Sequence, residues 1–398
     1  MKKKLLALAL ALTMALSLAA CGGDSSNADS TGETSTEENS GASGTAFKVG
    51  VIGPMTGGAA IYGTCVANSA QIAVDEINAL GGDIQFDLMV EDDVNDAETS
   101  LNAYNALMDD GMQILVGTVT TTPALNVVPQ AYEDRVFTIT PSASGDDVIE
   151  NNDNVFQICF TDSNQGSRSA QYINEHFPDA KIAIIYKNDD QYSIGIRDNF
   201  KAEADARGMS VVYEGTFTEA SQTDFNVQLA AAQSAGADLL FLPIYYTPAS
   251  VILTQANAMG YAPTFFGVDG MDGILTAENF DASLAEGVYL LTPFSADAED
   301  EMTQNFVAEY QDRFGEIPNQ FGADAYDAIY TLYQAIQAAG VTADMSNEEI
   351  CDALIEVMPT LAVTGLTSAG SEMTWDSNGA VSKDPTAVVI ENGTYVTP

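Results

Sequence analysis

Two runs of hydroxyl side chains are the clearest candidates for chemistry in this sequence. The first is Gly117-Thr118-Val119-Thr120-Thr121-Thr122-Pro123, and the second is Thr140-Pro141-Ser142-Ala143-Ser144. Each follows an apolar run of strand length, and the first leads into a helical pattern. Free backbone N–H groups at the start of a helix, together with hydroxyls, can hold a carboxylate. The same residues could equally cap helices, so each run alone leaves both interpretations open.

Motifs for catalysis are not found where an enzyme would need them. The sequence has no GxxxxGK[ST] loop, no GxGxxG after a strand and no GxSxG nucleophile elbow. Its one histidine, His176, lies where the pattern predicts the end of a helix. This excludes most serine-histidine, cysteine-histidine and histidine-zinc chemistry. The acid pairs Asp92-Asp93, Asp109-Asp110 and Asp189-Asp190 are predicted to be solvated in loops.

Alternating strands and helices predict the fold class. Seven apolar runs of strand length are bounded by Gly, Pro or Asp: Phe47–Gly53, Ile84–Glu91, Gln113–Gly117, Val136–Thr140, Lys181–Lys187, Asp238–Pro243 and Thr264–Asp269. Between them, apolar residues spaced by three and four predict amphipathic helices, such as Val66, Ala70, Ala73, Ile77 and Ala325, Ile329, Leu332, Ile336. We therefore expect an α/β protein with parallel sheets, whose ligands bind at the carboxyl ends of strands. The length from residue 47 to residue 398 predicts two lobes.

The first 21 residues have the pattern of an export signal. Three lysines precede an apolar run over residues 5–16 that is too short to span a bilayer, and small residues precede Cys21. The pattern resembles the lipobox of bacterial lipoproteins, which implies a signal peptide over residues 1–20 and acylation of Cys21. An ordinary secretory signal is the alternative. Residues 21–46 are then a polar, disordered tether, and the protein is held by its lipid anchor on the outer face of the cytoplasmic membrane.

The composition of the chain argues against several kinds of partner. Thirteen Lys and Arg against 57 Asp and Glu give a net charge of −44, which repels nucleic acid. No segment after the leader approaches 18 consecutive apolar residues, so we expect no transmembrane span. Cys65, Cys159 and Cys351 form no C-x-x-C pair and are expected to be buried free thiols. We expect neither a metal nor a cofactor.

A series of motifs, in order along the chain, resembles one family. The motifs are Val49–Gly57 with Tyr62-Gly63, Ala73–Asn78 before Gly81-Gly82, Glu91–Asp93, the threonine run, Tyr132–Asp134, Thr140–Ser144, Asp162–Gly166, Asp190–Gly195, Tyr245–Pro248, Gly267–Gly270, and Thr374–Asp376 with Asn378-Gly379. Over nearly all of residues 47–385 the chain resembles the type I periplasmic solute-binding proteins of bacterial ABC transporters. Within that family it resembles the branch that binds leucine, isoleucine and valine, in its lipoprotein form.

The resemblance implies two Rossmann-like lobes joined by a three-strand hinge. The N-terminal lobe would comprise residues 47–161 and 292–365, and the C-terminal lobe residues 162–291 and 366–398. The chain would cross between them near Phe160–Ser163, Leu290–Pro293 and Val363–Thr374. Ligand contacts from both lobes would favour closure. The closed monomer would then dock on the permease subunits of an ABC importer, without acting as an enzyme.

The resemblance also implies a site for a free amino acid. The implied ligand-binding residues are Tyr62, Thr121, Thr122, Ser142, Ala143, Ser144, Tyr192, Tyr245 and Asp269. Thr121, the N–H groups beside it and Ser144 would hold the α-carboxylate. Asp269, where the family often has Glu, would hold the α-ammonium with the Ser142 carbonyl and the Ser144 hydroxyl. The tyrosines would close over a branched-chain or other apolar amino acid, whereas strand alternation would aim Tyr246 elsewhere.

Three alternatives stay open at this stage. A receptor of the same fold could report its ligand to a signalling partner, and a related protein could bind amides, urea or purines. An exported enzyme that uses paired acids is the least favoured. Two local features are also open: Cys65 fits either the pocket wall or the helix core, and residues 366–373 are longer than is usual in the family.

Overall fold

The computed structural model describes residues 46–368 and 370–398. Its strands are β1 (Phe47–Gly53), β2 (Phe86–Asp92), β3 (Ile114–Gly117), β4 (Phe137–Thr140), β5 (Val155–Gln157), β6 (Lys181–Lys187), β7 (Ser210–Phe217), β8 (Leu239–Leu242), β9 (Thr264–Gly267), β10 (Tyr289–Leu291), β11 (Ala387–Glu391) and β12 (Thr394–Val396). Its α-helices are α1 (Ala60–Ala79), α2 (Ala97–Asp109), α3 (Thr121–Glu133), α4 (Asp146–Ile149), α5 (Asp162–His176), α6 (Gln191–Arg207), α7 (Asn226–Ser234), α8 (Tyr246–Met259), α9 (Glu301–Phe314), α10 (Gln320–Ala339) and α11 (Asn347–Val357). The predicted signal peptide, Cys21 and almost all of the tether lie outside the described residues.

Two sheets organise the described chain. The first has the order β2-β1-β3-β4-β5, and every pairing in it is parallel. The second has the order β12-β11-β10-β9-β8-β6-β7, and it is parallel except where β11 pairs with β10 and β12. The predicted α/β class with mostly parallel sheets is confirmed. The antiparallel edge of the second sheet was not part of the prediction.

Helices pack against each sheet, and we call each sheet with its helices a lobe. The first lobe is the five-stranded sheet with α1–α4 and α9–α11, and the second lobe is the seven-stranded sheet with α5–α8. The chain passes between them three times: after β5, after β10, and between α11 and β11. In the third passage, Trp375 Nε1 donates a 2.8 Å hydrogen bond to the carbonyl of Gln157 on β5. Within the described residues, no helix is both long and apolar enough to cross a membrane.

The core explains why these segments form these elements. The apolar stripes predicted on α1 and α10 are buried and belong to one core cluster. Strands β3, β4 and β8 are buried along their whole length, as expected for parallel strands covered on both faces. Helix α5 ends at His176, as predicted. The three described cysteines are buried and free, as predicted.

The expectation that the acid pairs are solvated was wrong for Asp93. Its side chain is buried, and its Oδ1 accepts a 2.8 Å hydrogen bond from the N–H of Asn95. This bond closes the tight turn after β2, in which Val94 and Asn95 have positive φ. Burial raises the pKa of Asp93 to about 7. The carboxyl group of Asp93 is therefore buried, although the acidic composition of this turn predicted that it would be exposed to solvent.

Candidate functional site

The two hydroxyl runs lie side by side because β3 and β4 are adjacent parallel strands. The hydroxyl of Thr140 donates to the carbonyl of Thr118 at 2.7 Å and accepts from the N–H of Ala143 at 2.9 Å. Ser142 Oγ donates to the carbonyl of Val119 at 2.6 Å. Both runs are therefore fixed to one another at the carboxyl end of the first sheet. The Ser142 hydroxyl is used in this internal bond.

The start of α3 presents unused donors at the same edge. Thr120 is the N-cap residue, and its hydroxyl is buried without a hydrogen-bond partner among the described residues. The N–H groups of Thr121 and Thr122, in the first turn, have no intrahelical partner. The hydroxyl of Thr121 accepts from the N–H of Gly145 at 3.2 Å, so its own hydrogen stays available. Such a set of donors, aided by the helix dipole, suits an anion.

Ser144 connects this edge to the first residue of α5. Its hydroxyl is buried and donates a 2.7 Å hydrogen bond to Asp162 Oδ1. Burial raises the pKa of Asp162 well above its usual range, and the negative charge of Asp269 raises it further. Asp162 therefore adds to the site an acid that was not among the predicted ligand-binding residues, although it belongs to the motif Asp162–Gly166.

Asp269 follows β9 in the second lobe and is 2% exposed. The hydroxyl of Tyr192 donates to its Oδ1 at 2.5 Å, and the N–H of Gly270 donates to the same oxygen at 2.7 Å. The N–H of Asp269 donates to Gln165 Oε1 at 3.1 Å. Burial raises the pKa of Asp269 to about 7, and the bond from Tyr192 opposes that shift. The carboxylate is thus buried, oriented and without a basic partner in the described part of the chain.

The three predicted tyrosines meet around Asp269. The rings of Tyr192 and Tyr245 stack at 4.8 Å between centroids, and Tyr62 meets Tyr245 edge-on at 5.4 Å. Tyr62 belongs to α1 of the first lobe, yet its hydroxyl donates to the carbonyl of Gly270 in the second. The predicted tyrosines and Asp269 therefore form one group that draws on both lobes.

Two further aromatic residues complete this group. Phe321, near the start of α10, lies 4.5 Å from Tyr62 between ring centroids. Tyr246 meets Tyr62 edge-on at 5.2 Å, and its N–H donates to the Tyr62 hydroxyl at 3.3 Å. The expectation that Tyr246 points elsewhere assumed strand geometry, but α8 begins at this residue. Phe321 was missed because nothing local in the sequence separates it from an ordinary core residue.

Direct hydrogen bonds join the lobes at the mouth of the cleft. Thr122 Oγ1 donates to Asp190 Oδ1 at 3.1 Å, and Thr247 Oγ1 donates to the carbonyl of Gly58 at 2.6 Å. These residues line a cavity of about 370 Å³. Asp190 is buried, which raises its pKa, so the expectation that it is solvated was wrong. The two lobes are therefore in contact at this cavity.

The predicted residues fall into two groups rather than one continuous cluster of contacts. One group is Tyr62, Tyr192, Tyr245 and Asp269; the other is Thr121, Ser142, Ala143 and Ser144, with Thr122 at the mouth. Cys65 belongs to neither, because its buried side chain packs in a separate core cluster with Tyr310. In the segment that begins at residue 366, the N–H groups of Leu366 and Thr367 donate to Asp327 of α10. That segment therefore braces α10 instead of contributing to either group.

The comparisons with known proteins agree with this architecture. The family model described as periplasmic binding protein matches residues 46–390. The chain belongs to the periplasmic binding protein family. Membership places it among binding proteins that work outside the cytoplasm, and its two lobes follow the type I fold of that family.

Several individual proteins of known ligand class are similar to this chain. The leucine-, isoleucine-, valine-, threonine- and alanine-binding protein of Pseudomonas aeruginosa is 30% identical over 320 residues, which cover 77% of this chain and 82% of that protein. The leucine-binding protein LivK of Thermotoga maritima is 26% identical with a TM-score of 0.78, covering 88% of this chain and 97% of that one. The branched-chain amino acid transporter protein LivJ of Streptococcus pneumoniae, solved with isoleucine, is 27% identical with a TM-score of 0.78, covering 88% and 98%.

Proposed function

We propose that this protein binds a free amino acid with a branched apolar side chain between its lobes and delivers it to the permease of an ABC importer. The buried carboxylate of Asp269, without a basic partner in the described part of the chain, carries this proposal. A buried charge is costly unless it is paired, so a ligand that brings an ammonium is favoured. The ligand classes named for the relatives agree.

The ammonium is bound by Asp269, with the Ser142 carbonyl and the Ser144 hydroxyl as further acceptors. Tyr192 fixes the Asp269 carboxylate from one side, which leaves the other oxygen for the ligand. Asp162 places a buried acid beside Ser144, and burial favours its neutral form. An ammonium that donates to several acceptors in this way recovers the hydration that it loses.

The ligand carboxylate is bound at the start of α3. The donors are the Thr121 hydroxyl, the N–H groups of Thr121 and Thr122, and the Thr120 hydroxyl, which has no partner among the described residues. The Ala143 N–H and the Ser144 hydroxyl hydrogen are already used in bonds to Thr140 and Asp162. The apolar side chain packs against Tyr62, Tyr245 and Phe321, of which Tyr62 contacts each of the other two. This set of aromatic walls favours leucine, isoleucine or valine over small polar amino acids.

Closure of the lobes completes these contacts. We assign residues 47–161 and 292–365 to the N-terminal lobe and residues 162–291 and 366–398 to the C-terminal lobe, which rotate about the three crossings. The bonds from Thr122 to Asp190 and from Thr247 to Gly58 form only when the lobes meet. A ligand that contacts both lobes therefore shifts the population toward the closed form.

We also propose that a lipid anchor at Cys21 holds the protein on the outside of the membrane. The N-terminal pattern described above supports this assignment. Acyl chains on Cys21 hold the protein at the outer face of the cytoplasmic membrane, and residues 21–46 give the binding domain room to reach the permease. A monomer is sufficient, because both halves of the site come from one chain.

Isothermal titration calorimetry with leucine and two analogues tests the proposed ligand class. Leucinol lacks the carboxylate, and 4-methylpentanoate lacks the ammonium. We expect leucine, isoleucine or valine to bind, and each analogue to bind about 100-fold more weakly because a buried partner is left unpaired. Tighter binding of urea, an amide or a purine than of any amino acid would overturn the proposal.

A further inference from the structure

A second cavity, of about 580 Å³, lies beside the proposed amino acid site. Its wall is built from the start of α1, the loop after β9, the second crossing, the connection from α9 to α10, and the turn between β11 and β12. None of the predicted ligand-binding residues lines it. Its volume lies within the range of small-molecule sites, which is about 300–1,000 Å³.

The interior of this side cavity is largely apolar and aromatic. Phe294 and Tyr310 are buried in its wall, Tyr395 lines it from the β11-β12 turn, and Ile61 and Leu275 add aliphatic surface. Aromatic rings attract a cation through their negative faces, and most strongly when water is partly excluded.

The charge around the side cavity has one sign. Asp272, Glu278, Asp297 and Glu316 line it, and the lining residues that the structure describes include no lysine, arginine or histidine. Asp272 is buried, and its oxygens already accept hydrogen bonds of 2.8 Å from the N–H groups of Gly273 and Gln320 and from the Tyr395 hydroxyl. Most of the roughly four acceptor positions of this carboxylate are therefore used, and it acts on an occupant mainly through space.

We propose that the side cavity is a second binding site, for a small quaternary alkylammonium compound. Such a cation has an apolar surface that suits the aromatic walls, and its charge is attracted by the four carboxylates. It has no N–H donors, so it needs no hydrogen-bond acceptor, and most of the acceptor positions of Asp272 are already used. For the same reason it is a poor ligand for Asp269, whose site is built for a donating ammonium.

Calorimetric titration of choline into the full protein saturated with leucine tests this inference. We expect choline to bind with the leucine site filled, and its neutral isostere 3,3-dimethylbutan-1-ol to bind at least about tenfold more weakly. Displacement of leucine by choline, equal binding of the isostere or no binding of choline would each overturn the second site. Leucine binding is measured separately, so failure of the amino acid site is distinguished from failure of this one.

A variant that fills the side cavity tests whether choline binds there. Thr64, on α1, is exposed and lines the cavity, so Thr64→Trp should fill it and abolish choline binding. Gln71→Trp, two turns along the same helix and outside the cavity, should leave it unchanged.

Removal of the three acidic side chains other than Asp272 that line the side cavity tests whether their charge attracts choline. The variant that combines Glu278→Gln, Asp297→Asn and Glu316→Gln should weaken choline binding about tenfold, since three attractive charges are lost. A control with equal charge change combines Asp109→Asn, Glu133→Gln and Glu150→Gln, all exposed and away from the cavity. Equal effects of the two triple variants, or choline binding that survives Thr64→Trp, would overturn the assignment.

Discussion

The hydroxyl of Tyr192 donates a 2.5 Å hydrogen bond to Oδ1 of Asp269, and both side chains are buried. Tyr192 is at the start of α6 and Asp269 follows β9, so the bond joins two residues that are 77 positions apart in the sequence. It holds the carboxylate in one orientation and leaves Oδ2 for a ligand. A buried carboxylate fixed in this way is preorganised for a cation, because little order remains to be imposed on binding.

Replacement of Asp269 tests its role in the amino acid site. We expect Asp269→Asn to reduce the affinity for leucine by about 2–5 kcal/mol, because the ligand ammonium would lose its charged partner in a buried site. Calorimetry measures the change. Asp272→Asn is a matched control, since Asp272 is also buried but binds its own neighbours. Unchanged leucine affinity in Asp269→Asn would contradict the assignment.

The affinity for leucine should depend on pH through Asp269. Its pKa in the ligand-free protein is raised to about 7 by burial, so the carboxyl is protonated at lower pH and cannot pair with an ammonium. We expect affinity to rise with pH up to about 7, by at most about one log unit per pH unit, and then to level off. Calorimetry between about pH 5 and about pH 8.5, a range that spans this pKa, should show the profile in the wild type. The Asp269→Asn variant should show a flatter profile.

The same shift affects folding with the opposite trend. The folded-state pKa of Asp269 lies above the unfolded value of about 4, so the folded protein holds a proton that the unfolded chain releases. Asp269 therefore lowers the free energy of unfolding of the ligand-free protein as pH rises from about 4 to about 7. Saturating leucine should reduce this loss, because a bound ammonium stabilises the ionised form.

Tyr192→Phe should move the binding profile toward higher pH. The Tyr192 hydroxyl lowers the pKa of Asp269, so its removal leaves burial less opposed. We expect the midpoint to rise by about one pH unit, the equivalent of one hydrogen bond to a charged group. Tyr186→Phe is the control, because Tyr186 lies on β6 and packs near Arg197 instead. A midpoint that stays in place would show that the bond does not tune Asp269.

Much of the fold could be predicted from local patterns. The bounds of β1 and β6 agree with the predicted runs, because both are mainly apolar segments with clear ends. Strand β7 was missed because only two of its eight residues are buried and it lies at a sheet edge, so its pattern is weak. The antiparallel pairing of β11 and β12 depends on β10, which is distant in sequence, and no local pattern indicates it.

The site was predictable only where a motif was present. Tyr62 and Gly270 are 208 residues apart, and only the family resemblance indicated that their segments share a cleft. Asp162 and Asp190 stood in recognised motifs, but sequence alone does not show that a carboxylate is buried. Phe321 has no motif, and its position beside Tyr62 follows from the packing of α10 on α1.

The buried ion pair in the third crossing should be essential for stability. Lys383 Nζ lies 2.8 Å from Asp324 Oδ1 and donates to the Thr367 hydroxyl, and the negative Asp327 is close by. Lys383→Met would leave two buried acids uncompensated, so we expect a loss of about 3–5 kcal/mol in the free energy of unfolding. Lys201→Met, which breaks an exposed pair with Asp205, should cost no more than about 0.5 kcal/mol.

The cost of Lys383→Met should grow with pH. The pKa of Asp324 is already raised to about 6 by burial with Lys383 opposing the shift, and the loss of that lysine would raise it further. Below this pKa the acid is neutral and needs no partner, whereas above it the buried charge stands alone. Urea unfolding at pH 5 and pH 8 should therefore show the larger loss at pH 8. An equal loss at both values would contradict this reasoning.

Thr247→Val should weaken closure without touching the proposed amino acid site. Thr247 Oγ1 donates to the carbonyl of Gly58 in the other lobe, and this bond is present only when the lobes meet. Its removal should cost the closed form about 0.5–1.5 kcal/mol, so leucine affinity should fall severalfold. Thr254→Val, on the same helix, removes a bond to the Ser250 carbonyl within α8 and should change neither affinity nor shape. X-ray scattering at subsaturating leucine should give a larger radius of gyration for Thr247→Val than for either Thr254→Val or the wild type; equal radii would show that this bond does not contribute to closure.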